Sequence, residues 1–391
     1  MSVFARAEYL DRLRRVKAAM AAAGIDTLVV ADPASLNYLT GYDGWSFYVH
    51  QFAVILDDRE EPLWVGRAMD APGAALTSFL SAESIVPYPE SFIDSDERHP
   101  SGFLAAELLR RGRGRGVVGV ESDAWYYTAR SHAGLVAGLP DARFVDAGRL
   151  VAWVRIVKSP AELAMMRAAA AIVSRAMAVG LEAVRPGVRE NDAVAAILAA
   201  QIEGAAGFWG DYPAALPSVP WGRKSAAPHL TWSGDRYETG NVAYLELGGC
   251  HHRYHAALAR TVHFGAPPDR LVRLADVVGE GLERALDVAR AGVTCEAVEA
   301  AWRAVIRRAG YEKASRIGYS IGLNYPPDWG ERTASLRPGD RTELQPGMCF
   351  HMILGMWQDD WGVELSETFR VTADGAPDVL TDNPRALVVR A

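Results

Sequence analysis

Apolar side chains recur at helical spacing over residues 8–23 (EYLDRLRRVKAAMAAA), and Gly24 supplies a stop. TLVVAD (27–32) then reads as a buried strand, and FAVILDD and PLWVG as two more, separated by the polar turn DREE. Residues 102–111 predict a helix, GVVGVE (116–121) a strand, and one further helix and strand reach Asp146. This alternation predicts a compact α/β domain.

The elements then lengthen. Ser159-Pro160-Ala161-Glu162 is a helix start, with Ser159 as the cap, Pro160 at the first position and Glu162 in the first turn. The Ala-rich helix that follows should run to the breaker pair Pro186-Gly187. More helices are expected over about 190–205, 269–291 and 295–309. Strand-like runs lie between and after them: VAYLEL (242–247), ALARTVHF (257–264), MCFHMIL (348–354) and ETFRVT (367–372). Long helices mixed with such strands predict an α+β domain whose sheet holds a cleft. The boundary falls near 150–158, dividing the chain into residues 1–153 and 154–391.

Composition narrows the function classes. The chain of 391 residues has a net charge of −7, which leaves no basic footprint for nucleic acid. Its three cysteines, Cys250, Cys295 and Cys349, have no paired spacing and argue against a disulfide framework or a structural zinc site. The segment MSVFARAEYLDRLRR is charged and amphipathic rather than signal-like, and no stretch reads as a bilayer span. A cytoplasmic protein with no membrane or nucleic-acid partner is expected.

Polar residues inside runs that read as buried strands carry the chemical information. Glu246 stands between leucines in Leu245-Glu246-Leu247-Gly248-Gly249. Either it faces water at a strand end or it faces a cation or a functional cavity, because an unpartnered buried carboxylate costs several kcal/mol. His229, in SAAPHLTWSG after a proline-rich loop, is a candidate proton shuttle. Taken alone, a surface-loop histidine is the plainer reading. Glu364 and Glu367 bracket a turn into a strand in DDWGVELSETF, where a solvated acidic turn accounts for Asp359 and Asp360. His251, His252 and His255 straddle a hairpin, where alternate positions point to opposite faces, so no metal site is expected from them. Tyr42-Asp43-Gly44-Trp45-Ser46-Phe47-Tyr48-Val49-His50-Gln51 gathers aromatic rings beside a glycine turn. Such rings bind cations through their faces or form a satellite core, and composition leaves both open.

RIVKSPAELAMMRAAA, the loop to His229, LELGGCHHRYHAALARTVHFG, IGYSIGL, LQPGMCFHM and GVELSETFRVT occur in an order that resembles the creatinase, prolidase and methionine-aminopeptidase superfamily over essentially the whole chain. The resemblance implies a pita-bread catalytic domain, a pseudo-symmetric α+β sandwich, preceded by a smaller creatinase-like α/β domain. Peptidases of this superfamily hold two metals on five ligands. Here those positions correspond to Glu246, Ala257, Tyr319, Ile353 and Ser366, the last two to within a residue or two. A dinuclear centre cannot survive that many losses, so neither metal nor cofactor is expected. The superfamily's substrate-contacting histidine corresponds to His229.

A metal polarises a neutral carbonyl and acidifies water. A guanidinium or amidinium already carries positive charge on the carbon to be attacked, and carboxylates can grip its N–H groups. GYDGWSFYVHQ, supported by DDWGVELSE, resembles the ectoine hydrolases within the metal-free branch. Ectoine is a cyclic amidine bearing a carboxylate, and the reaction implied is ring opening to an N-acetyl-diaminobutyrate. The roles implied are Glu246 as the key carboxylate, His229 as proton shuttle and Glu364 as second amidinium anchor. Trp45, Tyr48, His50 and Tyr42 would line the substrate pocket, across a homodimer of the creatinase kind. Creatine hydrolysis is the alternative, and a catalytically dead solute sensor a third reading.

Overall fold

Strand runs that are apolar throughout become central strands covered on both faces. The computed structural model describes residues 2–390. The chain divides into two units, Met1–Arg155 and Ile156–Ala391. In the first, α1 (Arg6–Ala22), β1 (Thr27–Val30), α2 (Pro33–Thr40), β2 (Phe52–Leu56), β3 (Leu63–Arg67) and α3 (Ala71–Thr77) follow in order. They lead to β4 (Ile85–Tyr88), α4 (Pro100–Arg110), β5 (Gly116–Val120), α5 (Ala129–Gly138), β6 (Ala142–Asp146) and α6 (Leu150–Arg155). The six strands form one sheet in the order β4-β3-β2-β1-β5-β6. Strand β1 pairs antiparallel with β2 and parallel with β5, and Val29, Phe52, Val54, Leu104, Val118 and Leu135 share one core.

The pattern of polar and apolar positions does not reveal α2. All eight of its residues are buried, so it has no polar face to give the sequence a helical period. It is fixed instead by its ends. The Asp32 carboxylate accepts the Ser35 N–H at 2.9 Å, and Gly41 closes the helix at φ 80°.

The second unit opens with α7 (Pro160–Ala183), α8 (Glu190–Glu203), β7 (Val242–His251), β8 (Tyr254–Phe264), α9 (Asp269–Val288) and α10 (Cys295–Arg308). It continues with β9 (Gly318–Ile321), β10 (Gly330–Ser335), β11 (Cys349–Trp357), β12 (Gly362–Arg370), β13 (Asp378–Val379) and β14 (Val388–Arg390). Ser159 and Glu162 form a reciprocal capping box around Pro160, as their spacing predicts. Helix α7 is long and apolar enough to cross a bilayer by composition, but its Ala169, Val173, Ala176 and Met177 are core residues against β7 and β8.

Two sheets, β14-β8-β7 and β10-β9-β11-β12-β13, make up this unit. Each has one apolar face. Leu245 and Leu247 on β7 and Ala256 and Leu258 on β8 pack under α7 and α8. Phe350, Met352 and Leu354 on β11 and Val363 and Leu365 on β12 pack under α9 and α10. Side chains alternate along a strand, so Glu246, Ile353, Glu364 and Ser366 project from the opposite faces. Those faces are joined through β8 and β12: Thr368 Oγ1 accepts the Ala257 N–H at 2.9 Å and donates to the Ala257 carbonyl at 2.8 Å. The expected acidic turn at 364–367 is strand. The turn ends at Trp361, and Gly362–Arg370 pairs residue by residue with β11, so Glu364 and Glu367 are buried ladder positions.

Candidate active site

Glu246 is the single position of β7 that is not buried, in a strand otherwise inaccessible along its length. Its exposed part opens on a cavity of about 540 Å³ that also reaches Glu364, His229, Lys313, Asp328 and Tyr319. The three residues assigned catalytic roles from the sequence therefore share one cavity. A volume of this size suits a small molecule.

The carboxylates of the cavity are held in a state that a cation would relieve. Burial, with Asp328 nearby, pushes Glu246 up to about 7. Burial, then the Glu246 charge, raises Glu364 well above the usual carboxylate range, with Lys313 opposing. Glu364 Oε1 is buried and, among the described residues, meets no hydrogen-bond donor. Such an atom costs about 1–3 kcal/mol unless something supplies the donor. Lys313 lies with its ammonium 4.3 Å from the Trp357 ring centre and donates to the Gly355 carbonyl. Burial lowers it to about 8, with Glu364 pulling the other way. Glu367, by contrast, is occupied by Arg260 at 2.6 Å, Arg385 at 3.0 Å and Thr381, and serves the fold.

His229 sits on the loop before β7, exposed, with φ 70° in the left-handed region that a non-glycine residue occupies at a cost. Arg316 also lines the cavity, its guanidinium 4.3 Å from the Tyr319 ring centre and one nitrogen donating to Ser335 Oγ at 3.0 Å. Lys313, Arg316 and Asp328 carry no signal in the sequence because they lie in ordinary charged loops, with a proline pair before Asp328 marking a special turn.

The positions matched to metal ligands do not fit a metal centre. Ala257 and Ile353 carry no donor atom, and Tyr319 and Ser366 are both bonded to His351. Among the described residues, no three His, Cys, Asp or Glu side chains are grouped to hold a metal ion. No step below runs through one. In the histidine cluster, His251 Nδ1 lies 2.9 Å from the Trp209 carbonyl and His255 Nε2 accepts the Ala214 N–H at 2.9 Å.

The aromatic stretch of the first unit divides. Tyr48 and His50 line a cavity of about 270 Å³ with Trp125 and Tyr126. Tyr48 and Trp45 are 70% and 65% exposed, surface rings rather than core. His50 stands 4.5 Å, ring centre to ring centre, from His99. Tyr42 points inward: it is 3% exposed, its ring 5.2 Å from that of Trp64 and its hydroxyl 3.4 Å from Ser46 Oγ.

Comparison with known proteins agrees with this architecture. Residues 164–373 match the metallopeptidase family M24, and residues 12–157 the creatinase/prolidase N-terminal domain. An ectoine hydrolase of Halomonas elongata is 44% identical over 99% of this chain and 98% of its own. An uncharacterized hydrolase/peptidase of Sinorhizobium fredii is 46% identical over 99% of this chain and 98% of its own. Among solved structures, a dipeptidase from Pyrococcus horikoshii superposes with a TM-score of 0.82 at 21% identity, covering 97% of this chain and 99% of that one. That likeness shows the fold. On the family match and the near-complete coverage of its relatives, the chain belongs to the metallopeptidase M24 family, with a creatinase/prolidase N-terminal domain preceding the M24 region.

Proposed function

We propose that the protein is a metal-independent hydrolase that opens the cyclic amidine of ectoine to an N-acetyl-diaminobutyrate. One observation carries the reading: two carboxylates, Glu246 and Glu364, face one small-molecule cavity, and both are held towards protonation, with a Glu364 oxygen left unpartnered. An amidinium supplies the donor that the Glu364 oxygen calls for, N–H groups and positive charge on a planar frame. Identity of 44% to the Halomonas ectoine hydrolase supports the choice of amidine.

In this reading Glu364 grips an amidinium N–H, and Glu246 attacks the central carbon or activates the water that does. The substrate's charge makes that carbon electrophilic without a Lewis acid. His229 hands a proton to the departing ring nitrogen, and Arg316 takes the substrate carboxylate as a charge-assisted partner. Trp45, Tyr48 and His50 belong to the substrate pocket as assembled in a homodimer, whereas Tyr42, expected to line it, is buried against Trp64. Buried cysteine side chains at Cys250, Cys295 and Cys349 suit the reducing cytoplasm.

The test is incubation of purified protein with ectoine, hydroxyectoine, creatine and an X-Pro dipeptide, with products identified by mass. Conversion of ectoine to a species heavier by one water is expected. Creatine is included because a guanidinium would meet the same two carboxylates; turnover of creatine or dipeptide without turnover of ectoine would refute the assignment.

A further inference from the structure

Four side chains beside Glu246 form a continuous hydrogen-bonded chain. Trp329 Nε1 donates to Tyr319 Oη at 2.9 Å. His351 Nδ1 lies 3.2 Å from the same oxygen, and His351 Nε2 lies 2.8 Å from Ser366 Oγ. His351 and Ser366 are fully buried, whereas Tyr319 lines the cavity.

Counting protons fixes the direction of this chain. Burial holds His351 down at about 3, so the ring is neutral and carries a single N–H. Ser366 Oγ has His351 as its partner among the described residues. A buried hydroxyl whose proton meets no acceptor costs about 1–3 kcal/mol. The Ser366 proton therefore goes to His351 Nε2, which leaves the imidazole proton on Nδ1, donated to Tyr319 Oη. Trp329 can only donate. With two donors on its oxygen, the Tyr319 O–H turns away from both, into the cavity that holds Glu246.

We infer that Tyr319 is a catalytic residue that donates a hydrogen bond to the oxygen added to the amidine carbon, with Trp329, His351 and Ser366 as positioning residues. This rests on the reading of the site as an amidine hydrolase. That oxygen arrives beside Glu246, whose charge is felt by Tyr319 in the same cavity. As the C–O bond forms, the C=N π pair moves onto nitrogen and discharges the amidinium, and Glu246 takes one proton of the attacking water, leaving a hydroxyl on carbon. Negative charge builds on that oxygen as its second proton leaves. As the C–N bond breaks, an oxygen lone pair becomes the carbonyl π bond. Along the water route, both water protons end on the departing nitrogen, carried by Glu246 and His229. Tyr319 keeps its own proton throughout. A pre-aimed donor at a developing oxyanion is worth about 10²–10³ in kcat, and here it needs no metal.

Two measurements test this. In kinetics with ectoine, Tyr319→Phe should lower kcat about 10²–10³-fold with little change in KM. It also strips Trp329 Nε1–H and His351 Nδ1–H of their acceptor and so lowers Tm, which makes the kcat loss at constant KM the readout that a merely structural role would not give. Ser366→Ala should lower kcat in the wild-type background and have no further effect in Tyr319→Phe. Tyr319→Phe with kcat near wild type, or a Ser366→Ala effect of equal size in both backgrounds, would overturn the assignment. Nitrogen NMR of labelled histidine reads the chain without substrate: His351 should carry its proton on Nδ1, and an Nε2–H ring would overturn the inference. Failure of the wild type to open ectoine would refute the proposed function instead, while the tautomer still decides the direction of the chain.

Discussion

Thr261 Oγ1 on β8 accepts the backbone N–H of Glu364 on β12 at 2.8 Å and donates to the Glu364 carbonyl at 2.8 Å. One hydroxyl thus fixes, from the neighbouring sheet, the backbone that carries a carboxylate of the cavity. Thr261→Val keeps the shape and removes both bonds, leaving a buried N–H and C=O unpaired. The expected cost is about 1–3 kcal/mol of stability, measured by urea denaturation, together with a loss in kcat/KM for ectoine. An unchanged denaturation midpoint would contradict this role for Thr261.

Glu246 should trade stability for function. Its value in the fold, about 7, lies above the ordinary carboxylate value. The stabilisation given by the protonated form is therefore complete below the ordinary value of 4.5 and is lost as the pH rises from there through 7. Glu246→Gln is neutral at every pH. It should abolish turnover yet raise the Tm of the substrate-free protein at pH 8, by roughly 2–4 °C per kcal/mol relieved, with little change at pH 5. Calorimetry at the two pH values checks this, and a lower Tm at pH 8 would contradict it.

Binding a cation should expel protons. Burial raises both Glu246 and Glu364, and an amidinium between them favours their ionised forms. Affinity should therefore fall as the pH drops below 7. Titration calorimetry of inactive His229→Ala with ectoine at pH 6.5, in buffers of different ionisation enthalpy, should report net proton release. Net uptake would exclude the paired-carboxylate site.

A buried pair elsewhere in the second unit should behave as fold machinery. Lys158 Nζ lies 2.7 Å from Glu331 Oε2, both side chains 1% exposed, and also donates to the Ile156 carbonyl at 3.0 Å. Lys158→Met leaves Glu331 buried without its cation and should cost about 3–5 kcal/mol. Adding Glu331→Leu should recover most of that loss. Equal stability of the single and double variants would contradict the pairing.

What could be read from the sequence follows from how each residue is covered. Glu246 stood out because a charged residue between two leucines breaks a buried strand, and it lines the cavity. Glu364 was harder: the acids and glycine of DDWG suggest a turn reaching further than it does, while the ladder to β11 begins at Gly362. Tyr319 was legible only as a missing ligand, since its meaning lies in Trp329 and His351, which chain folding brings to it. Lys313 and Arg316 were invisible because their loop has the charge of any solvent-exposed loop. In the first unit the aromatic run was visibly unusual, but composition could not say that Tyr42 turns inward onto Trp64 while Trp45 stays exposed.

The proposed reaction is amidine hydrolysis by paired carboxylates without a metal. Its most direct test is ectoine turnover by protein dialysed against chelator, with metal content determined on the same sample and the product identified by mass. Full activity in metal-depleted protein and a product one water heavier than ectoine are expected. Absence of that product, or activity lost on chelation and restored by a divalent ion, would contradict the proposed reaction.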